Sequence, residues 1–330
     1  MSQEVRSAGA CPPPQPAGGK PPRYRAHRAS LANPLAAKEL RGRMRGPRQF
    51  VVATLYLLPL GALTVGLYWL IAASSWGSVA GGVPVGKLFF GAVSALELGM
   101  ICLLAPALTA DLVSGERERR TYDLLLVTPL SRGQIVIGKL VAALGSPLLL
   151  VILALPLQTV AILLGGVGPE ELLVGFAILV LTAVTYACVG LYWSARLETT
   201  RAAVLLAYAT TALGVLGLPL VGVVIGIAGQ LFGGLVSPIL RVLFDSGGTL
   251  ASPGEAQTVA MLGQLLVATN PALSGILSAA FLAQGRDPVF VERFGGHDVT
   301  LVAPWLLFSA VHVLAIALLI LLTVRALRRA

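Results

Sequence analysis

Six long apolar runs, separated by short polar stretches, dominate the chain; they cover about residues 50–73, 88–110, 135–164, 172–194, 202–232 and 300–324. Each reaches the ~20 residues with which a helix crosses about 30 Å of hydrocarbon. Barrel strands would alternate over segments of about ten residues instead. The pattern predicts an all-α integral membrane protein with six spans. Pro59 predicts a kink in the first span, and Gly217 to Pro219 interrupt the overlong fifth. A further apolar run, Met261 to Leu282, is cut by Asn270-Pro271 into halves of about ten residues, each too short to cross alone. It reads as a re-entrant hairpin or interfacial pair before the last span, its backbone satisfied by protein or a water-filled cavity.

Charge supports this layout. Of 24 Lys and Arg, six spans with cytoplasmic termini place 20 inside: ten in residues 1–50, five in 111–139, then Arg196, Arg201, Arg325, Arg328 and Arg329. Lys87, Arg241, Arg286 and Arg293 fall outside. A seventh span would turn the terminal RALRR outward, against the positive-inside bias. The expected location is the plasma (cell inner) membrane, multi-pass, with both termini cytoplasmic. The net charge of +9 in 330 residues, 56% hydrophobic and 12% charged, belongs to those loops and needs no nucleic acid. Cys11, Cys102 and Cys188 are scattered, forming neither a disulfide framework nor a metal pair.

Residues 1–30, with CPPPQP and KPPRYR, read as a disordered, Pro-rich basic cytosolic tail; a polyproline II ligand is the alternative. They lack the apolar core of a signal peptide. Residues 31–330 form the membrane domain. Ahead of the first span, Lys38, Arg41, Arg45 and Arg48 share one helical face, with Ala36, Leu40 and Met44 on another. This predicts a basic amphipathic helix lying on membrane lipids, with an ordinary positive flank as the alternative.

The densest charge, Glu116 to Arg120, lies between spans two and three. Ser114 is placed to cap a helix whose first turn holds Glu116 and Glu118. Tyr122, Leu125 and Leu126 give it an apolar face, and Pro129 stops it. Ser131 and Gln134 then form a capping box that opens span three. The segment is too apolar for a solvated loop and too charged for the bilayer. It suits docking into a groove on another protein, with packing on its own bundle as the alternative.

Ser114 to Ala142 resembles the signature region of type-2 ABC exporter permeases. The match lies in Gly115, Glu116, Arg117, Glu118, Thr121, Asp123, Leu125, Leu126, Thr128, Pro129, Leu130, Ser131 and Arg132, then Gly138-Lys139. Asn33 to Arg45 resembles the segment before span one in the same family. The resemblance implies six spans, an elbow helix over Lys38 to Arg48, a cytosolic coupling helix over Glu116 to Leu126, including Arg119, and re-entrant helices between spans five and six. It also implies two copies of a separate ABC ATPase that hold ATP and Mg²⁺, a second permease copy, no cofactor on this chain, and no enzymatic activity of its own.

GGVPVGKL (Gly81 to Leu88) matches a phosphate loop only in part: Leu88 stands where Ser or Thr should bind Mg²⁺, and no strand precedes it. No HExxH, GxSxG or EF-hand pattern is present, and His27, His297 and His312 are too dispersed to bind metal. Glu170-Glu171 reads as a solvated start to span four. Glu97, about ten residues into span two, costs about 2.5–3.5 kcal/mol on insertion scales. With His312 in span six it is the candidate for a substrate or proton path; a structural bond to a neighbouring helix is the alternative. Gln158 and Gln230 read as helix–helix contacts. A proton-coupled secondary transporter using Glu97 and His312 is the second function considered. It predicts inverted repeats and more intramembrane charge, and the sequence shows neither.

Overall fold

A computed structural model describes residues 47–73, 85–121, 132–231, 253–294 and 296–329. Its helices are α1 Pro47–Ala73, α2 Val85–Thr109, α3 Ser114–Glu118, α4 Arg132–Leu163, α5 Pro169–Arg196 and α6 Thr200–Leu231. Then come α7 Pro253–Ala268, α8 Pro271–Ala283, β1 Val289–Phe294, β2 His297–Val302 and α9 Pro304–Arg329. Proline opens five of these helices, where its missing N–H is spare and its fixed φ already suits the first turn. Pro59, Pro106, Pro147 and Pro156 lie inside helices, as membrane helices tolerate when neighbours re-satisfy the freed carbonyls.

The fold is that of an all-α membrane protein. α2, α4, α5, α6 and α9 contain stretches long and apolar enough to cross a membrane. α1, with the shorter apolar stretch Phe50–Gly66, is the first span of the six-span reading. α7 and α8 meet at Asn270 with a bend of 114°. That angle turns α8 back on α7, and neither helix is long enough to cross alone.

The two strands were not expected from the span pattern. They pair antiparallel, Phe294 opposite His297, with Gly296 at φ 85° in the turn. The alternating VFVERF and HDVTLV around Gly-Gly form a hairpin signature. The last helix therefore begins at Pro304 rather than near residue 300. The side-chain amides of Gln257 and Gln264, seven residues apart on α7, bond the backbone of Thr300 and Val302, covering the free edge of β2.

α5 is the central helix, packing against α2, α4, α6, α8 and α9. Its main core joins Ile101, Val113, Leu140, Leu179, Tyr186 and Leu191 with Ala105, Ala143, Ala183 and Ala187. Small residues let membrane helices approach closely. At Gly190 a Cβ would collide with Thr109 Oγ1 and stand 3.1 Å from the Pro106 carbonyl oxygen, so only glycine permits this α2–α5 crossing. A second core, with Tyr56, Leu60, Phe89, Val93 and Leu150, joins α1, α2 and α4.

One expectation changes here. Lys87, in the segment that matches a phosphate loop only in part, opens α2 and pairs with Glu171 at 3.6 Å as an interhelical cation. Glu171 is buried rather than solvated, because that lysine meets it across the α2–α5 contact.

Candidate functional site

α3 follows α2 through a turn, Ala110 to Val113, whose backbone stays near-helical: Gly115 N–H donates to Asp111 O at 2.9 Å and Val113 lies in the right-handed region. Ser114 is therefore inside a continuing coil, not at an extended boundary where an N-cap residue works. Its hydroxyl turns back to Ala110 O at 2.9 Å. The expected Ser114 cap is replaced by one from another helix: Ser194 Oγ on α5 accepts from Val113 N–H at 2.9 Å and Ser114 N–H at 3.0 Å.

The charges that follow bond back to the bundle in sequence. Glu116 Oε1 meets Lys139 Nζ of α4 at 2.6 Å, and the same ammonium donates to Leu112 O at 2.9 Å. Lys139 is buried at 2% exposure, so its charge rests on this pairing. Arg117 Nη1 donates to Leu197 O, past the last turn of α5, at 3.4 Å. Glu118 Oε1 accepts from Thr200 N–H at 2.7 Å and so caps α6. Arg119, Arg120 and Thr121 are exposed.

α3 ends sooner than the apolar pattern indicates. Thr121 N–H donates to Glu116 O and Arg120 N–H to Arg117 O, with Arg120 at φ 56°. These are the bonds of a Schellman stop, made here with arginine where glycine is usual. The single coupling helix expected over Glu116 to Leu126 is thus corrected to a five-residue α3 with its own terminus. Tyr122, Asp123, Leu125, Leu126, Pro129 and the Ser131 cap lie outside the described residues. So do Lys38, Arg41 and Arg45 of the expected elbow. Arg48 sits in the first turn of α1, because Gly46-Pro47 starts that helix ahead of it.

The bond from Thr200 N–H holds the Glu118 carboxyl below the usual carboxylate range, helped by Arg201 and Arg119. The charged form makes this bond, so the link is complete above the ordinary carboxylate range and is lost as pH falls through the lowered value. Hydrogen exchange at Thr200 to Ala203 should show protection factors that hold through and above the ordinary carboxylate range and are lost only as pH falls below it. Glu118→Gln should flatten that profile.

The two intramembrane candidates do not meet. Glu97 Oε2 accepts from Gln158 Nε2 of α4 in the packing between α1, α2 and α4. His312 stacks on Phe308 one turn away, ring centroids 3.8 Å apart, and its Nδ1 faces Phe308 O at 3.1 Å. That carbonyl can only accept, so Nδ1 carries the proton. Among the described residues no hydrogen bond joins Glu97 to His312. Lys139, inside the third apolar run, was a visible signal for the α3 joint. Ser194 and Thr200 left none, being ordinary polar residues some 80 positions away.

The family model described as "ABC-2 family transporter protein" matches residues 34–326. A protein named "Probable ABC transporter permease protein NosY", from Pseudomonas aeruginosa, is 32% identical over 145 residues, 41% of this chain and 50% of that protein. Another of the same name, from Stutzerimonas stutzeri, is 34% identical over 107 residues, 32% of this chain and 36% of that protein. The chain thus spans half or less of the length of these curated relatives.

Proposed function

The chain belongs to the ABC-2 family of transporter proteins, and on that premise we propose that it is the membrane subunit of an ATP-driven exporter. Membership and the permease names of its relatives support reading it as a permease subunit, a multi-pass membrane protein whose partner on this reading is an ABC ATPase. Outward transport, two ATPase copies binding ATP and Mg²⁺, and a second permease copy are our reading. So are the inner membrane, the cytoplasmic termini, the elbow over Lys38 to Arg45, and the assignment of residues 31–330 to one permease domain.

The observation that carries the mechanism is the set of bonds from α3 to Lys139, Ser194, Leu197 and Thr200. α3 together with Tyr122, Asp123, Leu125, Leu126 and Pro129 docks on the ATPase. Exposed Arg119 and Arg120 suit an acidic rim there, and the apolar residues suit its groove. Closure of the ATPase pair displaces α3, and its bonds pass the displacement to α4, α5 and α6. The proton-relay alternative loses support, since Glu97 and His312 have separate partners.

Gentle detergent purification followed by mass spectrometry tests this reading. An equimolar chain bearing a Walker A motif is the expected companion; recovery of the permease alone after crosslinking would sink the proposal. Tyr122→Ala with Leu125→Ala should lower ATPase recovery about tenfold, as loss of two central apolar anchors does, while membrane insertion persists. Unchanged recovery would remove that stretch from the docking surface.

A further inference from the structure

α6 carries Pro219, which has no N–H to offer the Val215 carbonyl one turn earlier. In hydrocarbon an open carbonyl of this kind needs a donor from elsewhere. The structure supplies one from the α7–α8 turn. Asn270, fully buried, directs its Nδ2 to Val215 O at 2.6 Å and to Gly214 O at 3.2 Å. Its Oδ1 accepts from Leu273 N–H at 3.0 Å and caps α8. A Cβ at Gly214 would stand 3.0 Å from Tyr186 Oη, so α5 packs closely against the same stretch of α6.

We propose that Asn270 is a positioning residue that latches the α7–α8 turn onto the Val215 carbonyl that Pro219 leaves open within the continuous α6, so that the turn and this stretch of α6 move as one unit. The side chain suits this double task. An amide has two donors for the two carbonyls and an acceptor for the cap. Aspartate would keep the cap but set an acceptor against both carbonyls. Serine caps about as well as asparagine but lacks the paired donors, so Asn270→Ser separates latch from cap. The inference rests on α6, α7 and α8 and does not require the docking role of α3.

The test is a double-mutant cycle on the full chain in detergent, read by hydrogen exchange. Asn270→Ser should speed exchange about tenfold across residues 216–222 and 266–272, with residues 178–190 unchanged as a control. Pro219→Ala restores an N–H four residues after Val215, so the α6 segment no longer needs the latch. In that background Asn270→Ser should change exchange at 216–222 by less than about threefold. If Asn270→Ser fails to fold, recovery of folded protein in the double variant supports the latch equally. Exchange unchanged by Asn270→Ser, an acceleration that Pro219→Ala leaves intact, or double-variant misfolding alongside a misfolded single variant overturns it.

Discussion

Lys139→Met is expected to destabilise the folded chain by about 3 kcal/mol and to release α3 from α4. Removing one partner of a fully buried ion pair costs about 3–5 kcal/mol, because the other charge stays without compensation. The Lys139 side chain is 3% exposed but Glu116 is 27% exposed, so water relieves part of the stranded carboxylate and the lower end applies. Leu112 O also loses its donor. Adding Glu116→Gln removes the stranded charge and should recover at least about half of the loss. Denaturant unfolding of the two variants in detergent measures both numbers. A double variant no more stable than Lys139→Met would show that the pair does not hold α3. If α3 transmits ATPase closure, Lys139→Met should also lose ATP-dependent transport while inserted protein remains.

Gly190→Val should be as severe, through a different cause. Overpacking a close crossing costs about 1–3 kcal/mol by itself. Here the added atoms meet Thr109 Oγ1 and the Pro106 backbone, which cannot retreat without opening α2 from α5. Ser194 lies one turn further along α5 and must stay within 3.0 Å of Val113 N–H and Ser114 N–H. Separating the helices would uncap α3, adding about 1 kcal/mol and exposing its amides to exchange. A Gly190→Val chain of unaltered stability, with α3 still protected, would contradict this account.

The spans were legible because bilayer thickness fixes their length. The run over 88–110 became Val85–Thr109, and that over 202–232 became Thr200–Leu231. The Asn270-Pro271 break was legible too, since proline's missing donor acts locally. The hairpin was written in the alternation around Gly-Gly but is weak beside long apolar runs. Two features of the site lay beyond such reading. Ser114 has the right chemistry for a cap, yet the backbone before it stays helical, and that depends on the turn's packing. The stop at Arg120 uses a left-handed arginine, whereas the usual sequence sign is glycine or asparagine. Glu97 announced itself by its cost in hydrocarbon; that Gln158 would answer it followed only from the helix arrangement.

A body on one support swivels, and on two it can still rock about the line between them. α3 rests on α4 through Lys139, on α5 through Ser194 and on α6 through Thr200, three supports on three different helices. It is thus held by more than the one or two supports that leave such play. Under the proposed docking role, a load on α3 would be shared among α4, α5 and α6 rather than taken up by a single span.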